Sequence, residues 1–157
     1  MSPGYLNKHV IASMLALLEP RYTSPEAKAM LTAIALQESG LKARRQSGDG
    51  PARSYWQFEK GGIRGLLDHK ASYPIMQALC ASLNYPMELE AIHTAIEHND
   101  ILAAGCARAL LFTHRDQLPT IHDPETAWRM YLDLWRPGQP RHETWANNWR
   151  IAWESLA

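Results

Sequence analysis

The chain has 157 residues, and its 16 basic and 16 acidic side chains give a formal net charge of zero. This length fits a single domain over residues 1–157, and a hydrophobic content of 46% is ordinary for a globular protein. A neutral chain argues against a nucleic-acid-binding protein, which needs surplus Lys and Arg to neutralise phosphates. No apolar run reaches the ~20 residues of a membrane span.

The first predicted helix runs from about Asn7, its expected N-cap, to Leu18, and Pro20 stops it. Lys8 precedes the apolar part of this segment, as it would in an export signal. No cleavage site with small residues follows, so we expect a core helix and no signal peptide.

The second predicted helix runs from Pro25 to Glu38. Ser24 supplies an N-cap hydroxyl, and Pro25 suits the first helical position. Gly40 suits the left-handed conformation that commonly follows a helix end. Apolar residues recur at every third or fourth position up to Ile34, and the same spacing places Glu38 on the inward face.

Glu38 is therefore the main catalytic candidate. Partial burial and the negative end of the helix dipole both disfavour its charged form, so we expect a raised pKa. Cleavage of a glycosidic bond needs such an acid, because the leaving oxygen must be protonated near neutral pH. The alternative from periodicity alone is a solvent-facing Glu at a frayed helix end.

Residues 42–59 form the only predicted β region. A turn cluster over 47–50 precedes Tyr55–Glu59, which we expect to form one short strand. In a strand the aromatic side chains of this segment would alternate between the core and a cleft. The glycines at 61, 62 and 65 lack the strand-loop-helix context of a phosphate loop.

Helices dominate the rest of the chain, which gives an α+β protein that is predominantly helical with one small β element. The predicted helices cover a patch at residues 66–67 and then about 74–83, 86–98, 100–114, 124–135 and 143–156. The tryptophans of the last two helices are expected to lie in the core.

Neither the cysteines nor the histidines predict a special site. Cys80 and Cys106 lie in apolar helical patterns and are expected to be reduced core thiols. His93 and His98 are five residues apart, which places them on different sides of a helix. We therefore expect no metal and no cofactor.

Two segments together carry a family resemblance: QESGL at 37–41 and GPARSYWQFE at 50–59. A helix ending in Glu-Ser, followed by a segment with an apolar-apolar-Gln-apolar core, resembles the lytic transglycosylases and goose-type lysozymes. The close match covers about 25 residues, and Ser54 stands where that family prefers Gly. The resemblance implies a lysozyme-like fold and cleavage of the β-1,4 bond between N-acetylmuramic acid and N-acetylglucosamine, with Glu38 as general acid and base.

The resemblance also implies roles for other residues. Gln57 would bind substrate or position the acid, and Ser39 would support it. The remaining candidates for substrate contact are aromatic: Tyr55, Trp56, Phe58 and Tyr131. Lysozymes use a second carboxylate, for which Asp49 and Glu59 are the nearby candidates, whereas lytic transglycosylases work with one acid.

Peptidoglycan would be the partner, with no nucleic acid and no membrane span, and the oligomeric state is open. Because no export signal is recognisable, we expect a phage-encoded protein that is made in the host cytoplasm and reaches the wall through a holin lesion or in the virion. Two alternatives remain at this point: a non-catalytic phage structural or wall-binding protein, and a helical interaction module unrelated to glycans.

Overall fold

The computed structural model describes all residues from 1 to 157. Helix accounts for 63% of them and strand for 2%, so the predominantly helical prediction is confirmed. The helices in chain order are α1 (Pro3–Tyr5), a π-helical segment (Leu6–Ile11), α2 (Ala12–Leu15), a 3-10 turn (Pro20–Tyr22), α3 (Pro25–Ser39), a 3-10 turn (Ser47–Asp49), α4 (Lys60–Asp68), α5 (Tyr73–Leu83), α6 (Leu89–Ala95), α7 (Asp100–Phe112), α8 (Pro124–Trp135) and α9 (His142–Glu154).

The N-terminal helix begins earlier and ends earlier than predicted. Ser2 caps it, and its hydroxyl accepts from the backbone N–H of Tyr5. Asn7 is not a cap: it lies inside the helix, and its buried amide donates to Thr32 Oγ1 (2.9 Å) and Ser155 Oγ (2.6 Å). The side chain therefore joins the first helix to α3 and to the end of α9.

Helix α3 is the centre of the packing. It contacts α9, α7 and the N-terminal helix, and its side chains are buried without interruption from Ala29 to Ala35. A single hydrophobic cluster of 37 buried residues extends from Leu6 to Ala152. A helix buried on all sides positions its end firmly, and Glu38 stands at that end.

Helices α4 to α7 pack next to this centre. α5 lies along α7, and α4 contacts α5, α6 and α7. Gly105 permits the close approach of α5 and α7, because a Cβ atom there would overlap the Leu79 side chain. The three glycines of residues 61–65 lie inside α4. Cys80 and Cys106 are buried free thiols, as predicted.

Helices α8 and α9 are joined by an aromatic column. Tyr131 stacks on Trp145 with ring centroids 5.4 Å apart, and Trp145 stacks on Trp149 at 6.0 Å. The indole N–H groups of Trp145 and Trp149 donate to the carbonyls of Pro124 and Ile121. These tryptophans are core residues, as predicted. No helix of the chain has the length and apolar composition for crossing a membrane.

The predicted strand over Tyr55–Glu59 is wrong. Residues 42–59 contain only two isolated antiparallel bridges, Arg45 with Arg53 and Arg53 with Phe58. Ser54 and Gln57 both have positive φ values, 72° and 56°, so the chain turns tightly between them. The turn leaves no extended segment in which side chains could alternate between two faces.

Candidate active site

Glu38 occupies the last turn of α3, at a helix end that local sequence defines. The helix begins where Ser24 Oγ accepts from the backbone N–H of Ala27 at 3.0 Å. It ends at Gly40, whose φ of 61° is left-handed and whose N–H donates to Leu36 O at 2.9 Å. Both predicted end signals are confirmed, and the helix extends one residue beyond the predicted end.

The Glu38 carboxyl is partly buried and has two polar neighbours. Tyr131 donates its hydroxyl hydrogen to Glu38 Oε2 at 3.3 Å. Burial raises the pKa of Glu38 from 4.5 to about 7, while the Tyr131 hydrogen bond and the charge of Arg141 act in the opposite direction. Because burial dominates, both the acid and its conjugate base are populated near neutral pH.

Tyr131 is held rigidly as a neutral donor. Its ring stacks on Trp145 at an interplanar angle of 11° and contacts Trp128 at 5.4 Å. Burial and the nearby Glu38 both raise the pKa of Tyr131, so the phenol keeps its hydrogen at neutral pH. Tyr131, which the sequence analysis gave as a candidate for substrate contact, therefore lies beside the acid.

Gln37 ties the end of α3 to the start of α9. Its Nε2 donates to the backbone carbonyl of Arg141 at 2.9 Å, and Arg141 Nη2 donates back to the Gln37 carbonyl at 2.9 Å. Its Oε1 accepts from Thr144 Oγ1 at 3.0 Å and from Asn148 Nδ2 at 2.9 Å. This network fixes Arg141 within electrostatic range of Glu38.

A cavity of about 600 Å³ opens between these two helix ends. Its lining is mostly polar: Leu36, Gln37, Glu38, Ser39, Gly40, Lys42, Arg141, Glu143, Thr144, Asn147 and Asn148. Glu143, in the first turn of α9, is a second carboxylate on this cavity that we did not predict from the sequence. Its only sequence signal is that of an acid in a first turn, which many helices have.

Of the predicted site residues, the structure brings Ser39 and Tyr131 together with Glu38. Ser39 Oγ donates to Ala35 O at 2.9 Å and accepts from the N–H of Leu41 at 3.2 Å. Ser39 therefore closes the helix end and lines the cavity beside the acid.

The aromatic residues of the 54–58 turn lie in the core. Trp56 is fully buried and donates its Nε1–H to Leu31 O at 2.9 Å. Tyr55 lies under the Arg44 guanidinium at 4.6 Å, and Phe58 contacts Trp135 at 5.8 Å. The expectation that alternate rings face a cleft is wrong, because all three side chains point inward.

Gln57 forms no hydrogen bond with Glu38. Its Nε2 donates to Ser54 O at 2.8 Å, within the same turn. A hydrogen bond joins the turn to α8: Trp135 donates its Nε1–H to Trp56 O at 2.9 Å. Trp135 lies one helical turn after Tyr131, which donates to Glu38. The side-chain hydrogen bond of Gln57 therefore stabilises the turn, and a role in substrate binding stays a prediction.

The two predicted second carboxylates lie on the surface. The Asp49 side chain is 89% exposed and pairs with Arg45, which itself pairs with Glu97. Glu59 is exposed and precedes α4 without a capping hydrogen bond. Neither lines the Glu38 cavity, whereas Glu143 does.

No three His, Cys, Asp or Glu side chains gather where they could hold a metal ion. Comparisons of the chain with protein-family models, with curated proteins and with solved structures find no match.

Proposed function

We propose that this protein is a peptidoglycan-cleaving glycosidase of lysozyme-like fold, which acts on the β-1,4 bond between N-acetylmuramic acid and N-acetylglucosamine. One observation carries the proposal: Glu38 is a partly buried carboxyl with a pKa of about 7 on the wall of a polar cavity. The sequence resemblance at residues 37–41 and 50–59 supplies the substrate class.

The surroundings of Glu38 suit both halves of a glycosidase reaction. In the first half the protonated acid donates its hydrogen to the leaving oxygen. The resulting carboxylate is then stabilised by the Tyr131 hydroxyl at 3.3 Å and by the charge of Arg141. In the second half that carboxylate accepts a hydrogen from the attacking hydroxyl or water.

The polar lining of the cavity suits a carbohydrate ligand. Asn147, Thr144 and Lys42 provide donors and acceptors for hydroxyl and N-acetyl groups, alongside the charged side chains of Arg141 and Glu143. An amphiphilic or aromatic ligand would need an apolar wall, and Leu36 is the only large apolar residue here. A volume of about 600 Å³ accommodates a short stretch of glycan.

The number of carboxylates at the site separates two mechanisms. If Glu38 acts alone, the substrate attacks its own sugar and an anhydro product forms, as in lytic transglycosylases. If Glu143 serves as the second group, water attacks and a reducing end forms, as in lysozymes. The variant Glu143→Gln distinguishes the two mechanisms, because the substitution slows cleavage only if Glu143 is the second carboxylate.

The direct test is clearance of a turbid peptidoglycan suspension by wild type and by Glu38→Gln. Glu88→Gln is the matched control, since Glu88 is exposed and its replacement removes the same charge. We expect clearance by wild type and the control and a loss of about a thousandfold in Glu38→Gln, a typical scale for a general acid. Equal clearance by Glu38→Gln contradicts the proposal, and binding of glycan without cleavage by wild type supports a wall-binding protein instead.

A further inference from the structure

Arg108 is a buried cation near the start of α3, whereas Glu38 lies at the end of that helix. It lies in the second half of α7, where its neighbours Ala104, Ala107 and Ala109 are fully buried, and it is only 5% exposed. A charged side chain at such a position is costly unless it is paired, because burial removes the water that solvates the charge. The groups that contact Arg108 therefore show whether the chain itself pairs this buried charge.

Only one N–H group of the Arg108 guanidinium finds a hydrogen-bond acceptor within the chain. Nε donates to the backbone carbonyl of Tyr22 at 2.9 Å. The guanidinium lies 5.8 Å from the Tyr22 ring and 6.0 Å from the Phe112 ring. Burial lowers the pKa of Arg108 to about 10, so it stays charged at neutral pH, and no carboxylate contributes to that pKa. Four of the five N–H groups of the fork form no hydrogen bond within the chain.

These free donors face a cavity of about 650 Å³ with a second guanidinium on its wall. Arg21 lies 4.7 Å from the Tyr22 ring, and its Nη2 donates to the Tyr22 hydroxyl at 2.7 Å. Arg21 is 61% exposed, so it stands at the mouth while Arg108 stands at the back. Two cations therefore flank one aromatic pair, Tyr22 and Phe112, whose centroids are 4.9 Å apart.

The acids near this cavity do not neutralise Arg108. Glu19 pairs with Arg21 at 3.3 Å and is 71% exposed. Asp116 lines the cavity, but its ion-pair contacts are His114 and Arg115, both at 3.9 Å. Glu26 also lines it and forms no ion pair. None of these carboxylates pairs with Arg108, so its charge has no direct ion-pair partner in the cavity.

We propose that this cavity binds the oxyanion group of a small ligand, a phosphate or a carboxylate, with Arg108 as the buried anchor and Arg21 at the entrance. The planar guanidinium fork matches the paired oxygens of either group. The positive end of the α3 dipole adds to the attraction, since the N-cap residue Ser24 also lines the cavity. The site lies about 18 Å along α3 from Glu38, at about 1.5 Å per residue.

Isothermal titration calorimetry tests this site, with sodium phosphate and sodium citrate as separate probes at pH 7 and constant ionic strength in NaCl. Arg108→Met keeps the side-chain length and removes the charge. Arg64→Met is the matched control, because Arg64 is exposed, forms no ion pair and lines no part of this cavity. We expect wild type and the control to bind one probe, and Arg108→Met to bind it at least tenfold more weakly. Whichever probe binds identifies the ligand group as a phosphate or a carboxylate.

A second measurement keeps the test valid if Arg108→Met does not fold. In wild type, nitrogen-15 spectra should show the Nε–H resonance of Arg108 shifting with the binding probe, and Arg21→Met should weaken binding severalfold. No probe-specific heat and no shift in wild type would overturn the proposal, as would equal binding by Arg108→Met. Glu38→Gln should bind the probe like wild type, so the result is independent of the proposed glycosidase activity.

Discussion

Replacement of Glu38 by Gln should stabilise the protein at alkaline pH and leave its stability almost unchanged at acidic pH. The pKa of Glu38 is raised by folding, from 4.5 to about 7. The folded protein therefore holds this proton more tightly than the unfolded chain does. As pH rises from about 4.5 to about 7, the unfolded chain releases the proton first, and the free energy of unfolding falls.

The size of the effect follows from the pKa difference. At about 1.4 kcal/mol per tenfold change in proton affinity, the rise from 4.5 to about 7 corresponds to about 3 kcal/mol. Wild type loses this amount between pH 4 and pH 8, whereas Glu38→Gln has no carboxyl to ionise. The stability difference, Glu38→Gln minus wild type, should therefore increase by about 3 kcal/mol over that range.

Urea unfolding followed by tryptophan fluorescence measures this difference, because tryptophans lie throughout the core of α8 and α9. Glu88→Gln controls for the loss of one negative charge on the surface. If the stability difference for Glu38→Gln is the same at pH 4 and pH 8, Glu38 ionises alike in the folded and unfolded protein. That result would contradict the raised pKa of Glu38.

Further substitutions test the hydrogen bonds around Glu38 and the packing of the helices. Tyr131→Phe removes a hydrogen bond that lowers the pKa of Glu38, so the alkaline limb of the kcat/KM profile should move to higher pH; a limb that stays in place contradicts this role. Gln37→Leu removes three side-chain hydrogen bonds between the end of α3 and the start of α9 and should lower stability by about 2–3 kcal/mol in urea unfolding. A loss below about 0.5 kcal/mol would mean that these hydrogen bonds do not hold the two helices together. Gly105→Ala should destabilise the protein by about 1–3 kcal/mol, because the added Cβ overlaps the Leu79 side chain of α5. Gly65→Ala should stabilise it by about 0.5–1 kcal/mol, because a Cβ there meets no other atom and Ala favours the helix. Unchanged thermal unfolding of Gly105→Ala would contradict the close packing of α5 on α7.

The ends of α3 could be predicted because they depend on neighbouring residues. A capping hydroxyl acts three residues away, and a left-handed glycine acts within one turn. The apolar spacing that placed Glu38 on the inward face is equally local, and the raised pKa followed from that placement. The candidate acid was thus accessible from the sequence.

The turn at residues 54–58 could not be predicted by the same means. Its aromatic residues favour strands as amino acids, and a period of two fits them. Their positions are decided instead by distant partners, such as Leu31 O for the Trp56 indole and Trp135 for the Phe58 ring. Tertiary contacts outweighed local preference, and the resulting turn needed positive φ at Ser54 and Gln57.

The neighbours of the acid were only partly predictable. Tyr131 came from the family resemblance, but Arg141 and Glu143 did not. Gln37 and Arg141 are 104 residues apart, and nothing local to either indicates that α9 starts where α3 ends. Which cavity Glu38 faces is therefore a property of the assembled helices.

The most direct test of the central claim is mass spectrometry of the products from purified peptidoglycan treated with wild type and with Glu38→Gln. We expect cleaved disaccharide-peptides from wild type and none from Glu38→Gln, with Glu88→Gln matching wild type. Anhydro ends would assign a lytic transglycosylase, and reducing ends a lysozyme that uses Glu143 or another second group. The same products from wild type and Glu38→Gln, or none from wild type, would contradict the claim that Glu38 cleaves this glycan.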